Sequence, residues 1–298
     1  MKILVSGGTG FIGKALVEYL RLKAHEVRVL QRSYPKEDFY WDVEKNIFDE
    51  KAMHQIDAII HLAGAPIAEP WTGYYQKVLY ESRIDTANFL LEKAKDFCPD
   101  LSLFISASAI GFYGNEATDK TLTEESEAGE GFLSKLCVAW EAAADQFHEI
   151  GARVVKVRTP AVLSKDGGLI RVLNKVFRLG LGTNLGDGNN YMPWIHLQDL
   201  LRVYEFALIN SSLDGAVNAV ADEQITQNEF NLVLSREIKA PYFLPNIPEF
   251  VVKRILGERS ALVLDGCLLS NMKLKNLGFR MQYPRIEEAM RTIFISEH

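Results

Sequence analysis

Three glycines near the start of the chain constrain its fold more than any other feature. The apolar run Ile3–Val5 precedes Gly7, Gly10 and Gly13, and apolar residues then recur at three- and four-residue steps as far as Leu20. This order is typical of a buried strand, a tight turn and an amphipathic helix. Glycines at this spacing let a pyrophosphate approach the backbone at a helix N-terminus. The stretch predicts a dinucleotide-binding turn, and the alternative is an ordinary strand–turn–helix unit. The cofactor-binding residues expected here are Gly7, Thr9, Gly10, Phe11, Ile12 and Gly13.

Arg32 indicates which dinucleotide the turn would accept. It follows the second predicted strand, Glu26–Gln31, and precedes Ser33. In a dinucleotide fold the residue at this place meets the adenosine ribose, where an acidic residue favours NAD and an arginine can hold a 2′-phosphate. Arg32 therefore predicts NADP, with NAD as the alternative cofactor. The competing interpretation is a solvated surface arginine.

Composition excludes several classes of protein. The 298 residues include 33 basic and 39 acidic side chains, and the resulting charge of −6 argues against nucleic-acid binding. Cys98, Cys137 and Cys267 are far apart and show neither a metal-site spacing nor a disulfide framework. No apolar run approaches the ~18 residues that a membrane span needs. We therefore expect a cytoplasmic protein with no metal and with a small-molecule substrate as its partner.

Alternating strands and helices predict the fold class. Apolar runs at Asp57–Gly64 and Leu101–Ser108 flank a helical region from about Tyr74 to Phe97. This alternation is typical of an α/β protein with a doubly wound parallel Rossmann sheet. The first of these runs ends in small residues at the carboxyl edge of the sheet, where cofactors lie. We expect Leu62, Ala63 and Gly64 to pass close to the cofactor.

The second half of the chain predicts a substrate-side lobe. A strand at Ala152–Arg158 leads to a glycine-dense loop and a last sheet strand near residue 220, and Thr226 with Glu229 forms a capping box. We expect a Rossmann domain at residues 1–220, with a substrate-lobe insertion around 163–195. A small C-terminal α/β lobe would occupy 221–298.

The combined motifs resemble the extended short-chain dehydrogenase/reductase family, in its NAD-dependent epimerase/dehydratase-like branch. The motifs that carry this resemblance are Gly7-Gly-Thr-Gly10-Phe-Ile-Gly13, His61-Leu-Ala-Gly64, Ser106-Ala-Ser108 and Tyr113-Gly114. A narrower resemblance is to an uncharacterised "epimerase family" group with its own C-terminal domain. It rests on Ser82-Arg83-Ile84, Trp140-Glu141, Gly186-Asp-Gly188, Trp194-Ile-His196 with Asp199, and Gly278-Phe279. The resemblance implies a nucleotide-sugar-like substrate and is compatible with a homodimer.

The resemblance also implies a catalytic Ser, Tyr and Lys, and the chain departs from that set. Ser108 occupies the Ser position. The Tyr-x-x-x-Lys pair is missing, because one alignment of the next helix pairs Gly131 with Lys135 and the other pairs Leu133 with Cys137. Neither alignment supplies the tyrosine whose pKa a neighbouring lysine would lower. This departure puts the family's standard chemistry in doubt.

Other residues could contribute to the site, each with a structural alternative. Tyr113 could approach Ser108 as a second catalytic residue, or it could be a packing residue. Arg83 could contact an anionic substrate or fix its own helix. The resemblance places Pro160 and Val162 beside the nicotinamide. Trp194 could line the substrate site or belong to the core.

Two functions follow from these observations. The leading hypothesis is an NADP-binding oxidoreductase or epimerase that acts on a small polar substrate. The alternative is a non-catalytic NADP(H)-binding redox sensor or partner-binding module, which the missing Tyr-x-x-x-Lys pair favours.

Overall fold

The computed structural model describes residues 1–32, 39–114 and 120–294. These residues fall into two units by their internal contacts. Unit 1 comprises Met1–Ala109, Lys135–Arg158 and Leu201–Val217, and unit 2 comprises Ile110–Ser134, Thr159–Leu200 and Asn218–His298. The predicted domain boundary at residue 220 stays a prediction.

A mostly parallel eight-stranded sheet forms the framework of the fold, with order β10-β7-β6-β5-β1-β2-β3-β4. The strands are β1 (Lys2–Ser6), β2 (Glu26–Gln31), β3 (Phe39–Asp42), β4 (Ile47–Phe48), β5 (Ala58–His61), β6 (Leu103–Ala109), β7 (Arg153–Thr159) and β10 (Gly215–Asn218). Strand β1 pairs in parallel with β2 on one side and β5 on the other, whereas β4 runs antiparallel to β3. The chain order therefore reverses at β1, as the predicted doubly wound Rossmann fold requires.

Helices follow most strands, as expected for parallel pairing. They are α1 (Phe11–Leu22), α2 (Gly73–Glu81), α3 (Ile84–Phe97), α4 (Gly131–Asp145), α5 (Gly168–Arg178), α6 (Leu197–Ile209), α7 (Gln227–Glu237), α8 (Glu249–Leu256), α9 (Ala261–Leu264), α10 (Met272–Asn276) and α11 (Ile286–Phe294). Among the helices of the described residues, none has the length and hydropathy that crossing a membrane requires.

The core of unit 1 lies against the sheet. Leu4, Ile59 and Phe104 are fully buried, and Phe104 stacks on Phe147 with ring centroids 3.6 Å apart. These strands are continuous apolar runs because residues on both faces are buried.

Unit 2 has a core of its own around a small parallel sheet. Strands β8 (Ala161–Leu163) and β9 (Trp194–His196) pair there, and Trp194 packs with Phe177, Phe230 and other buried residues. The predicted capping box is confirmed, since Thr226 and Glu229 bond each other's backbone N–H groups at the start of α7.

The helical region predicted from Tyr74 to Phe97 is two helices, with the break at Ser82–Arg83. The Ser82 hydroxyl accepts a hydrogen bond from the Ala65 N–H at 2.9 Å, and the Arg83 guanidinium donates to the carbonyl of Ala65 at 3.0 Å. Bonds to a distant loop thus replace the continuous helix that the apolar spacing indicates.

Candidate functional site

The glycine turn between β1 and α1 has no room for side chains. Gly7 has φ of +73°, and a Cβ there would lie 2.6 Å from the carbonyl carbon of Leu62. A Cβ on Gly13 would lie 2.1 Å from the oxygen of Gly7. Gly10 is the N-cap of α1 and no side chain caps that helix end. The first N–H groups of α1 therefore remain available to an anion.

This turn fits a dinucleotide pyrophosphate. The glycines bring the backbone close to the strand end, and no acidic residue lies in the first turn of α1. A helix N-terminus favours negative charge because its peptide dipoles align. Thr9 and Gly10 are exposed, while Phe11 and Ile12 are half-buried. The turn thus combines an open backbone surface with a favourable field for phosphate.

A buried hydrogen-bond chain supports the turn from β5. His61 is fully buried, and its Nδ1 lies 2.6 Å from the hydroxyl of Ser6. Its Nε2 lies 3.3 Å from the Arg83 carbonyl, which can only accept, and 3.2 Å from the hydroxyl of Thr86, which can donate or accept. A proton on Nε2 satisfies the carbonyl and lets Nδ1 accept from Ser6. Burial lowers the His61 pKa to about 4, which keeps the ring neutral. Beyond it, Leu62 and Ala63 are half-buried and Gly64 is exposed at the sheet edge.

Arg83 is a buried cation at this edge. Its guanidinium donates to the carbonyls of Leu79 (3.2 Å) and Ala65 (3.0 Å), and a Cβ on Gly64 would lie 3.0 Å from its Cζ. The guanidinium lies over the Trp140 ring at 5.0 Å. Within residues 1–32, 39–114 and 120–294 it forms no ion pair, and its Nε has no hydrogen-bond partner. These contacts favour the helix-fixing alternative, and substrate contact stays a prediction.

Ser108 belongs to a buried polar cluster. Its hydroxyl donates to Glu141 Oε1 at 2.6 Å, and Arg158 donates to both oxygens of Glu141, at 2.8 and 2.9 Å. All three residues are less than a tenth exposed. Because the Ser108 proton is given to Glu141, the Ser108 oxygen presents only its acceptor capacity to a ligand.

Helix α4 offers Cys137 where the resemblance expects an ionisable residue. The thiol is buried, and burial with the nearby Glu141 raises its pKa to about 12. A thiol in this state is neutral and packs as a small apolar group. Cys137 therefore does not replace the missing lysine as a source of charge.

Arg32 is exposed directly after β2. It lies beyond β1 on the side opposite to β5 in the strand order. In a dinucleotide fold that is the side of the adenosine half. Ser33, named with Arg32 above, lies outside the described residues.

Residues of unit 2 that were expected at the site are mostly buried in that unit. Tyr113 is 2% exposed, and its hydroxyl donates to Asn218 Oδ1 at 2.7 Å. Trp194 is 1% exposed within the core of unit 2. These positions favour the packing alternatives for both aromatic residues. Pro160 and Val162, at the start of the small sheet, are also buried.

Asp199 lies inside its helix and bonds a distant backbone segment. Helix α6 begins at Leu197, and the fully buried Asp199 carboxylate accepts the backbone N–H groups of Gln282 and Tyr283, at 2.7 and 2.8 Å. His196 Nδ1 accepts the N–H of Gln198 instead. Both side chains therefore have structural partners, and Asp199 fastens the chain just before α11.

Comparisons with known proteins identify the family. A model of the NAD dependent epimerase/dehydratase family matches residues 3–219, and a domain of unknown function (DUF1731) matches residues 247–293. The epimerase family protein Mb2239 of Mycobacterium bovis is 35% identical over 295 residues, which cover 97% of this chain and 96% of that protein. The chain belongs to the NAD-dependent epimerase/dehydratase family.

Solved structures of this family extend the comparison. Human epimerase family protein SDR39U1, crystallised with NADPH, superposes with a TM-score of 0.88 at 30% identity and covers 98% of this chain and 99% of that one. UDP-glucose 4-epimerase of Thermotoga maritima, solved with UDP-glucose, has a TM-score of 0.80 at 20% identity, covering 99% and 97%. The second likeness shows the fold alone.

Sequence reasoning missed several residues whose buried contacts lie next to the candidate site. Glu141 was named only as part of the Trp140-Glu141 motif, and the roles of Ser6, His61, Arg158 and Trp140 were not foreseen. Their partners are distant in sequence; Ser6 and His61, for example, lie 55 positions apart. Within the described residues, no group of three or more His, Cys, Asp or Glu is placed to hold a metal ion.

Proposed function

We propose that this protein binds NADP(H) at the glycine turn and acts as an oxidoreductase or epimerase on a small polar, nucleotide-sugar-like substrate. The observation that carries the proposal is the glycine turn itself, where the Cβ of any other residue at Gly13 would collide with Gly7. The NADPH in the human relative, which is 30% identical to this chain, supports the choice of cofactor.

The chain's own residues would hold the two halves of the cofactor on opposite sides of β1. Arg32 would contact the 2′-phosphate, and the helix N-terminus would bind the pyrophosphate. The bound nicotinamide would supply a hydride donor or acceptor. The remaining proposed contacts are those of Gly7, Thr9, Gly10, Phe11, Ile12, Gly13, Leu62, Ala63, Gly64, Pro160 and Val162.

Ser108 is the proposed residue for orienting a reacting hydroxyl. Its own proton is engaged by Glu141, so its oxygen would accept a hydrogen bond from the substrate. Glu141 is in turn held by Arg158, which fixes the Ser108 rotamer. Tyr113 stays a second catalytic prediction, and Tyr113→Phe tests it directly.

A non-catalytic NADP(H) sensor is the second candidate. The observation in its favour is that α4 offers only a neutral, buried thiol where the resemblance expects a proton-transferring pair. A sensor needs cofactor binding and a partner, and it needs no acid or base beside the nicotinamide. The expected homodimer and cytoplasmic location are compatible with both candidates and stay predictions.

Cofactor titration tests the part that both candidates share. We expect isothermal titration to show tighter binding of NADPH than of NADH, with the difference lost in Arg32→Ala. Gly13→Ala should abolish binding of both. Equal affinity for NADPH and NADH would reject the NADP assignment, and no binding of either would reject the proposed function.

Turnover separates the two candidates. A panel of nucleotide sugars and small carbonyl compounds should yield NADPH-dependent turnover that falls in Ser108→Ala. Turnover that is unchanged in Ser108→Ala and Tyr113→Phe would remove both residues from the catalytic set. Partner binding that depends on NADP(H), with no turnover on any compound, would favour the sensor.

A further inference from the structure

The buried guanidinium of Arg83 has no compensating anion in the part of the chain that the structure describes. Its hydrogen-bond acceptors are the carbonyls of Leu79 and Ala65 and the hydroxyl of Ser82, and the face of Trp140 lies against it. Carbonyl dipoles and an aromatic face stabilise a cation, and they leave its net charge in place. A buried, unpaired charge acts at longer range than a surface charge because little water screens it.

The other ionisable groups around Arg83 do not cancel its charge. Arg158 and Glu141 form a bidentate pair that is neutral as a whole. Burial raises the pKa of Cys137 to about 12 and lowers that of His61 to about 4, so both are uncharged near neutral pH. Arg83 is therefore left without a paired anion among these groups, and within the described residues its Nε and the Nε1 of Trp140 are buried donors without acceptors.

The strand order places this charge on the nicotinamide side of the proposed cofactor site. Arg32 follows β2, on the adenosine side of β1, whereas Gly64 and Ser108 follow β5 and β6 on the other side. The guanidinium of Arg83 packs directly against Gly64. A dinucleotide that crosses the reversal at β1 extends its nicotinamide half over this edge.

We propose that Arg83 makes the site selective for the redox state of its cofactor, so that it binds NADPH in preference to NADP⁺. The oxidised nicotinamide ring is a cation and the reduced ring is neutral, so only the oxidised form is repelled by Arg83. Two unit charges ~10 Å apart at an effective dielectric constant of ~20 give a preference on the order of tenfold. The inference rests on the proposed function and adds to it a response to the NADPH/NADP⁺ ratio.

The test measures dissociation constants for NADPH, NADP⁺ and 2′,5′-ADP by isothermal titration. Wild-type protein should bind NADPH about tenfold more tightly than NADP⁺. In Arg83→Met the preference should fall to near unity, and in Arg83→Lys, which keeps the charge, it should persist. Affinity for 2′,5′-ADP, which has no nicotinamide, should be the same in Arg83→Met and the wild type.

Salt provides a matched control. The redox preference should stay constant between about 0.05 and about 0.5 M NaCl because Arg83 is buried, whereas NADPH affinity supplied by the exposed Arg32 should fall.

Three results would overturn the inference. They are equal wild-type affinity for NADPH and NADP⁺, an unchanged preference in Arg83→Met, and an equal loss of 2′,5′-ADP and NADPH affinity in that variant. If Arg83→Met does not fold, the ratio of the wild-type dissociation constants for NADP⁺ and NADPH becomes the deciding measurement. Failure of all three nucleotides to bind would instead reject the proposed function, and the inference with it.

Discussion

Replacing Glu141 by glutamine should destabilise the protein strongly, because it leaves the Arg158 cation buried without a counter-charge. The side chains of Arg158 and Glu141 are only 3% and 7% exposed, and two hydrogen bonds join them. Breaking a buried pair by removing one partner costs about 3–5 kcal/mol. Glutamine keeps one hydrogen-bond acceptor, so we expect the free energy of unfolding to fall by about 3 kcal/mol, the lower end of this range. For a chain of 298 residues that corresponds to a fall in Tm of roughly 5 °C.

Circular dichroism melts at neutral pH measure this effect, and the chain offers a matched control. Lys95 and Glu149 form an ion pair of the same 2.8 Å length, but their side chains are 46% and 59% exposed. Glu149→Gln should change Tm little because exposed pairs contribute little to stability. A double variant, Glu141→Met with Arg158→Met, should be more stable than Glu141→Gln because no charge is left unpaired. If Glu141→Gln melts within about 2 °C of Glu149→Gln, the reasoning from burial is refuted.

Three further predictions concern the turn and two titrating groups. Gly13→Ala should lower Tm as well as abolish NADPH binding, since its Cβ would lie 2.1 Å from the Gly7 oxygen; a normal melt would show that the turn can relax. Burial lowers the His61 pKa from 6.5 to about 4, so the unfolded chain gains a proton first as pH falls. The contribution of the neutral His61 ring to the free energy of unfolding should be complete above pH 6.5 and should fall by about 3 kcal/mol towards pH 4. Urea unfolding of His61→Gln should therefore show a flatter pH dependence than that of the wild type. Burial raises the pKa of Asp265 from 3.8 to about 6, so the ionised form is the disfavoured one. Asp265→Asn should therefore raise Tm at pH 8 and have a much smaller effect near pH 4, and an equal effect at both pH values would contradict the assignment.

The parallel sheet could be predicted from the sequence because its central strands β1 and β5 are almost entirely buried. Continuous apolar runs such as Ile3–Val5 are typical of buried strands, and the partly buried predicted strand Glu26–Gln31 also coincides with β2. The break between α2 and α3 could not be predicted, since apolar spacing continues across it. It depends on hydrogen bonds from Ser82 and Arg83 to Ala65, which lies 17 and 18 residues away in sequence.

The candidate site could be predicted from the sequence only where the residues that form it are close together in the chain. The glycine turn depends on a few consecutive residues and their steric limits, so its spacing identifies it. The Ser108–Glu141–Arg158 cluster joins residues that lie 33 and 17 positions apart, and no spacing rule connects them. Arg83 was recognised as a candidate, but its lack of a counter-charge among the described residues is a property of its surroundings that only the folded chain reveals.

The order in which the segments of unit 1 are synthesised affects how the unit folds on the ribosome. Unit 1 draws on three separated stretches of chain, the last of which ends at Val217 of the 298 residues. Chains begin to fold from the N-terminus while they are still being made. One edge of β6 therefore stays unpaired until β7 has been synthesised, and one edge of β7 stays unpaired until β10 has been synthesised. Each unpaired edge is exposed in the meantime. A ribosome that stalls before Val217 would hold a nascent chain whose open strand edge is exposed to chaperones and to other nascent chains.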